Sequence, residues 1–199
     1  MMKEFNILLA GVGGQGVILM SELLGRAAIA DGLRVRGSEI LGMAVRGGSV
    51  TSIIRIGDDV HGPLVPRGKC HILMGLEPSE ALRHASYLAE SGLVILNTTP
   101  VIPFTVSLGQ SDYPALSQVL EKLSAIAGRV IKLDASKAAV EAGSPLTTNI
   151  VMLGALFGVE LLPIKTSTIK ETIQARFSPR LAPINIRAFD LGYEAAGKD

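Results

Sequence analysis

The chain has 199 residues, a length that suits one α/β domain whose core can hold without disulfides. Hydrophobic residues make up 48% and charged ones only 19%, too little charge to cover a surface, so some apolar surface is expected to meet a partner. The net charge is +1 with scattered Lys and Arg, no apolar run reaches the ~18 residues of a membrane span, and Lys3 and Glu4 precede a short core strand rather than a signal segment. These features argue against nucleic acid or membrane as a partner and for a cytoplasmic location.

The pattern predicts a strand over Phe5–Ala10, the glycine turn Gly11-Val12-Gly13-Gly14-Gln15-Gly16, and a helix over Val17–Ala30 with Val17, Met20, Leu24 and Ala27/Ala28 on one face. A second strand over Arg34–Ser38 completes a β-α-β unit. Gly42–Gly48 leads into a β-branched strand, Val50–Ile56, which Gly57-Asp58-Asp59 is expected to fold back through Val60 as a hairpin. Then come a strand over His71–Leu76, a helix over Ser79–Glu90 stopped by Gly92, and a strand over Leu93–Leu96. Pro103–Val106 reads as a short edge strand. A helix over Pro114–Ala127, a strand over Val130–Leu133 and a helix over Ala135–Ala142 follow. The rest is helical: Thr147–Val159, apolar on most sides; Thr168–Arg176, which Ser167 or Thr166 can cap; and Pro183–Ala196. Alternating strands and helices predict a single three-layer α/β domain, residues 1–199, with a mostly parallel, Rossmann-like sheet.

Two segments carry the functional signal. Gly11, Gly13 and Gly16 have the G-x-G-x-x-G spacing of a strand, tight turn and helix N-terminus. The sharp turn, close backbone approach and close helix packing each ask for glycine, and the first helical amides favour an anion. The same turn also occurs with no ligand. The second segment is Ser38-Glu39-Ile40-Leu41-Gly42-Met43-Ala44-Val45-Arg46-Gly47-Gly48-Ser49-Val50. In an open parallel sheet it falls near the same edge as the first loop, where Arg46 could grip a carboxylate or phosphate or simply be solvated.

Cys70 is the one cysteine and sits in an apolar stretch, which reads as a buried small hydrophobe. An all-cysteine cluster needs about four thiolates, so this chain alone cannot supply one. His61, His71 and His84 lack metal-ligand spacing. Asn149 can cap its helix, bond within the core or face a cofactor. Glu77-Pro78 ends a strand, a site-like position that also suits a helix start.

The segments NILLAGVGGQGV, SEILGMAVRGGSV, Gly62-Pro63-Leu64-Val65-Pro66 and Asn149-Ile150-Val151-Met152-Leu153-Gly154-Ala155 agree in order and spacing with one family. Together they resemble the gamma-type subunit of 2-oxoacid:ferredoxin oxidoreductases, most closely the indolepyruvate branch, whose usual form has Gln where Val45 stands. That resemblance implies a complex that oxidatively decarboxylates a 2-oxoacid, forms acyl-CoA and CO2, and reduces ferredoxin. It implies thiamine diphosphate and iron–sulfur clusters on partner subunits, no cofactor held by this chain alone, and a homodimer as a form of the isolated chain. It also implies that Gly11, Gly13, Gly14, Gln15, Gly16, Gly42, Met43, Arg46, Gly47, Gly48 and Ser49 face the partner or its cofactor, with no catalytic acid, base or nucleophile supplied here.

Two rivals remain. An NAD-dependent dehydrogenase would use Glu39, 23 residues after Gly16, on the ribose. A structural assembly subunit would use its glycines for packing alone.

Overall fold

A computed structural model describes residues 3–44 and 46–197, so Val45 of the second glycine segment lies outside the described residues. The strands are β1 (Phe5–Val12), β2 (Val35–Leu41), β3 (Ser49–Ile56), β4 (Cys70–Gly75), β5 (Leu88–Asn97) and β6 (Arg129–Leu133). They form one sheet in the order β2-β3-β1-β4-β5-β6. Only β3 runs against the rest: it pairs antiparallel with both β1 and β2, while β1-β4-β5-β6 pair in parallel.

The helices are α1 (Val17–Ala30), α2 (Pro78–Arg83), α3 (Phe104–Ser107), α4 (Leu116–Ser124), α5 (Ala135–Ala142), α6 (Thr148–Gly158), α7 (Thr166–Arg176) and α8 (Ala182–Gly197). Alternate residues of β1 feed two cores. Ile7 and Leu9 pack with α1 and α5–α8, and Leu8 and Ala10 with α2 and α4, which makes the expected three layers. A strand buried on both faces reads as a continuous apolar run, as Ile7–Ala10 does. No helix among the described residues is long and apolar enough to cross a membrane.

Several local expectations give way to tertiary packing. The second strand does not pair with β1, because β3 lies between them. The reason is burial: Val50–Ile56 is buried along its whole length, whereas β2 carries Arg36, Ser38 and Glu39 and takes the edge. The hairpin is therefore β2–β3, closed by Gly42–Gly48, with Leu41 opposite Val50. Gly57-Asp58-Asp59 does turn, at a Gly57 φ of +145°, but Val60 joins no strand.

The helix expected over Ser79–Glu90 ends at Arg83. A single 3-10 turn (Ala85–Tyr87) follows, and Leu88, pulled into the core beside Cys70, already begins β5. Pro103–Val106 is not an edge strand: β6 occupies that side of β5, and the segment coils into α3. No side chain at the start of α7 caps it. Asp31 does so from the end of α1, accepting from the Lys165 N–H and the Thr168 hydroxyl, each at 2.7 Å.

Candidate functional site

The carboxyl ends of β1, β4 and β5 meet where the chain switches from one layer to the other, α1 lying on one face and α2 on the opposite one. This is the place where open α/β sheets hold ligands. Gly16 caps α1 in the left-handed region (φ +77°), with no side-chain acceptor over the first turn. The four first-turn amides of a helix have no intrahelical partner, which leaves them to face outward.

The two glycine loops are a single unit. The Gly13 N–H donates to the Gly48 carbonyl at 2.8 Å, and the Gly47 N–H donates to the Gly13 carbonyl at 3.1 Å. The close approach that Gly13 permits is thus used by the hairpin loop of the same chain. Gln15 is also consumed internally: its Oε1 accepts from the Val12 N–H at 2.9 Å and its amide donates to the Leu76 carbonyl at 3.1 Å. A Cβ on Gly11 would come within 2.8 Å of that Oε1. Gly14 is exposed (φ +100°) with open space around it. Gly42, Met43, Arg46 and Gly47 are exposed, Gly48 and Ser49 half-buried. Arg46 makes no ion pair among the described residues.

Of the clefts that flank the paired loops, two share Val101. One, about 390 Å³, is lined by Gly14, Gln15, Gly16, Asn97, Thr99, Ser136, Thr148 and Asn149 with Leu19, Leu76, Val101, Pro145 and Leu146. No charged side chain lines it, and α1, α5 and α6 all begin there. The other, about 430 Å³, lies beside Gly47 and Ser49 and is acidic, with Glu77, Glu80 and Asp112 against Arg83. A larger groove of about 650 Å³ runs between α7 and α8, away from both loops, and gathers none of the residues marked in the sequence.

Most polar groups around the clefts have partners within the chain. Asn149 does both jobs at once: its amide donates weakly to the Gly16 carbonyl at 3.5 Å from across the chain, and its Oδ1 accepts from the Ile150 N–H in the first turn of α6 at 3.0 Å. Glu77 is buried and starts α2, accepting from the Glu80 N–H at 3.0 Å and the Ser79 hydroxyl at 2.5 Å; the Tyr113 hydroxyl also donates to it. Burial and that bond to a carboxylate push the Tyr113 phenol up. Glu80, also buried, accepts from Ser49 at 2.6 Å and from Arg83 at 3.1 Å. His84 lies 2.8 Å from the Thr51 hydroxyl, and burial lowers its pKa despite Glu80 nearby.

Sequence reasoning did not single out Thr99, Ser136, Thr148 or Tyr113. The first three follow a strand end or open a helix, a signal that is readable in principle. Tyr113 carried none. Glu39 is exposed on the edge strand, with β3 between it and β1. It therefore stands two strand spacings, about 10 Å, from the first loop, too far to pair with it as a ribose-binding acid. Cys70 is buried, and burial pushes its thiol up to about 12, as fits a core residue.

The fold is that of the ketoacid oxidoreductase gamma subunits. The gamma subunit of a keto/oxoacid ferredoxin oxidoreductase from Geobacter sulfurreducens superposes with a TM-score of 0.71 at 23% identity, over 98% of this chain and 99% of its own. A 2-oxoglutarate:ferredoxin oxidoreductase from Magnetococcus marinus, solved with 2-oxoglutarate, coenzyme A and succinyl-CoA, gives a TM-score of 0.77 at 20% identity, over 100% of this chain and 32% of its own. The sequence narrows this further: residues 6–195 match the pyruvate ferredoxin/flavodoxin oxidoreductase family, and the chain belongs to it. Indolepyruvate oxidoreductase subunit IorB of Pyrococcus horikoshii is 43% identical over 98% of this chain and 97% of its own length.

Proposed function

We propose that residues 1–199 form the gamma-type component of a thiamine diphosphate- and CoA-dependent 2-oxoacid:ferredoxin oxidoreductase acting on an aryl pyruvate such as indolepyruvate. The chain completes the active site or the CoA path and does not catalyse alone. The observation that carries this is the pairing of the two glycine loops at the switch point, which presents Arg46 and Met43 outward on a doubly anchored hairpin. Full-length identity of 43% to an indolepyruvate oxidoreductase subunit supports the substrate.

The neutral cleft fits the anionic groups of CoA. Its walls carry no acid to repel them, and the first-turn amides of α1, which no side chain caps, can donate together with the Ser136 hydroxyl, while the Thr99 and Thr148 hydroxyls already donate to Asp134 and to the Pro145 carbonyl. CoA when bound supplies the thiol that accepts the acyl group. This chain's share is to orient the carrier and exclude water around it. Thiamine diphosphate and the clusters belong to partner subunits. The surface for those subunits includes Leu41 (62% exposed), Met43 (105%) and Leu146 (89%) bordering the loops and clefts. Ferredoxin takes the electrons from the clusters.

The test is co-expression with the thiamine- and cluster-bearing subunit and a viologen-reduction assay dependent on indolepyruvate and CoA. Arg46→Ala is expected to leave assembly intact and lower turnover by about tenfold to a hundredfold, the worth of a charge-assisted contact. Unchanged turnover in an intact complex would favour the purely structural subunit.

A further inference from the structure

Residues 100–114 cross the acidic cleft between β5 and α4 with very little holding them down. None of them is buried, including all of α3. Most of their hydrogen bonds stay inside the segment: Val106 and Ser107 to Pro103, Leu108 to Phe104, Gly109 to Val106, Gln110 to Thr105, and Ser111 to Thr105. Among the described residues, two hydrogen bonds reach the body of the protein, one from the Val101 N–H at 3.4 Å and one from the Tyr113 hydroxyl, and both end on Glu77 Oε1.

Both ends, in contrast, are fixed. Asn97 donates to the Leu76 carbonyl at 3.1 Å and accepts from the Ala135 N–H at 3.1 Å, and α4 buries Val119 and Leu123. The carboxylate is suited to a reversible hold. Its Oε2 is committed to Ser79 and Glu80 at the start of α2, so Glu77 keeps its place whether or not Oε1 is engaged. A segment with little burial and few ties to the body opens at low free energy.

We propose that residues 100–114 are a lid over the cleft beside Gly47 and Ser49, with Tyr113 on Glu77 as its latch. Closed, the lid lays Thr105, Ser111 and Tyr113 against the cleft that Ser49, Glu80 and Arg83 floor. Open, it uncovers that floor and releases Glu77 Oε1 to solvent. The use of this motion in turnover rests on the proposed function; the latch does not.

The experiment compares wild type, Tyr113→Phe and Glu77→Gln in the full chain, by amide exchange at Val101 and by chymotrypsin cleavage after Phe104. Tyr113→Phe is expected to speed both by about tenfold to a hundredfold, since it removes a bond to a charged acceptor, while β1 and β4 amides keep their wild-type rates. Glu77→Gln keeps one acceptor oxygen where the carboxylate uses two, and is expected to speed both as well. Wild-type rates in Tyr113→Phe overturn the latch, as does acceleration that spreads through the sheet. Turnover of the wild-type complex with indolepyruvate and CoA reports on the proposed function separately: an active complex whose Tyr113→Phe form exchanges like wild type overturns the lid alone.

Discussion

Glycine is used in opposite ways in two regions of this molecule. Along the α6–α8 seam it removes side chains so that two helix backbones can touch. A Cβ on Gly154 would overlap the Phe189 carbonyl, one on Gly158 the Tyr193 carbonyl, and one on Gly192 the Val151 carbonyl. At the switch point it supplies conformation and open backbone: Gly14, Gly16 and Gly47 have positive φ, and Gly14 and Gly47 have nothing within 4 Å of an added Cβ. The seam is filled by backbone against backbone, whereas Gly14 and Gly47 are exposed, with Leu41, Met43 and Leu146 exposed nearby. The same residue type therefore marks packing in one place and access in the other, and only the neighbours tell which.

Substitutions can break that contrast. Gly192→Ala meets backbone that cannot move aside, so it should cost on the order of 3 kcal/mol, read as a drop in the urea midpoint. A loss well under 1 kcal/mol would mean that the seam yields and the contrast is weaker than drawn. Gly16 sits between the two classes, with positive φ and Asn149 packed against it. Gly16→Ala should cost about 1–2 kcal/mol from the left-handed backbone, plus a part that Asn149→Ala relieves. Gly14→Ala should show the backbone cost alone, with no relief by Asn149→Ala in a double-mutant cycle.

The smallest effect concerns the support under the hairpin loop. Burial holds the His84 pKa below its ordinary 6.5, against the pull of Glu80 and with the push of Arg83. Neutral His84 is the folded form, so its contribution is complete above the unfolded value and is lost as pH falls from about 6.5 through the folded value. Urea midpoints taken either side of that window should fall on the acid side in wild type, and fall less in His84→Gln. Equal slopes would separate the Thr51–His84 contact from loop support.

How much could be read beforehand varied by region. The β1–loop–α1 unit was legible because its signals are local: an apolar run, spaced glycines and an amphipathic repeat within 26 residues, Phe5 to Ala30. The loop over Gly42–Gly48 was placed on the right connection, before the strand Val50–Ile56, but the neighbour of β1 was not legible, because the rank of β3 over β2 depends on which strand buries more apolar surface in the finished sheet. In the candidate site, the glycines and Arg46 stood out by motif. Asn97, Thr99 and Ser136 did not, since the end of β5 and the start of α5 bring them to the cleft from positions far apart in the chain.

By itself the sequence determined a mostly parallel three-layer α/β fold, the glycine turn that opens α1, a core-type Cys70 and membership of the oxidoreductase family. Each of these rests on short-range chemistry or on residue order along the chain. Tertiary structure alone decided the insertion of β3, the pairing of Gly13 with Gly47 and Gly48, the capping of α7 by Asp31 and the tie of Tyr113 to Glu77. Those contacts join residues 34 to 137 positions apart. They form where segments compete for the same buried space and the same hydrogen-bond partners, and no local pattern records the outcome of that competition.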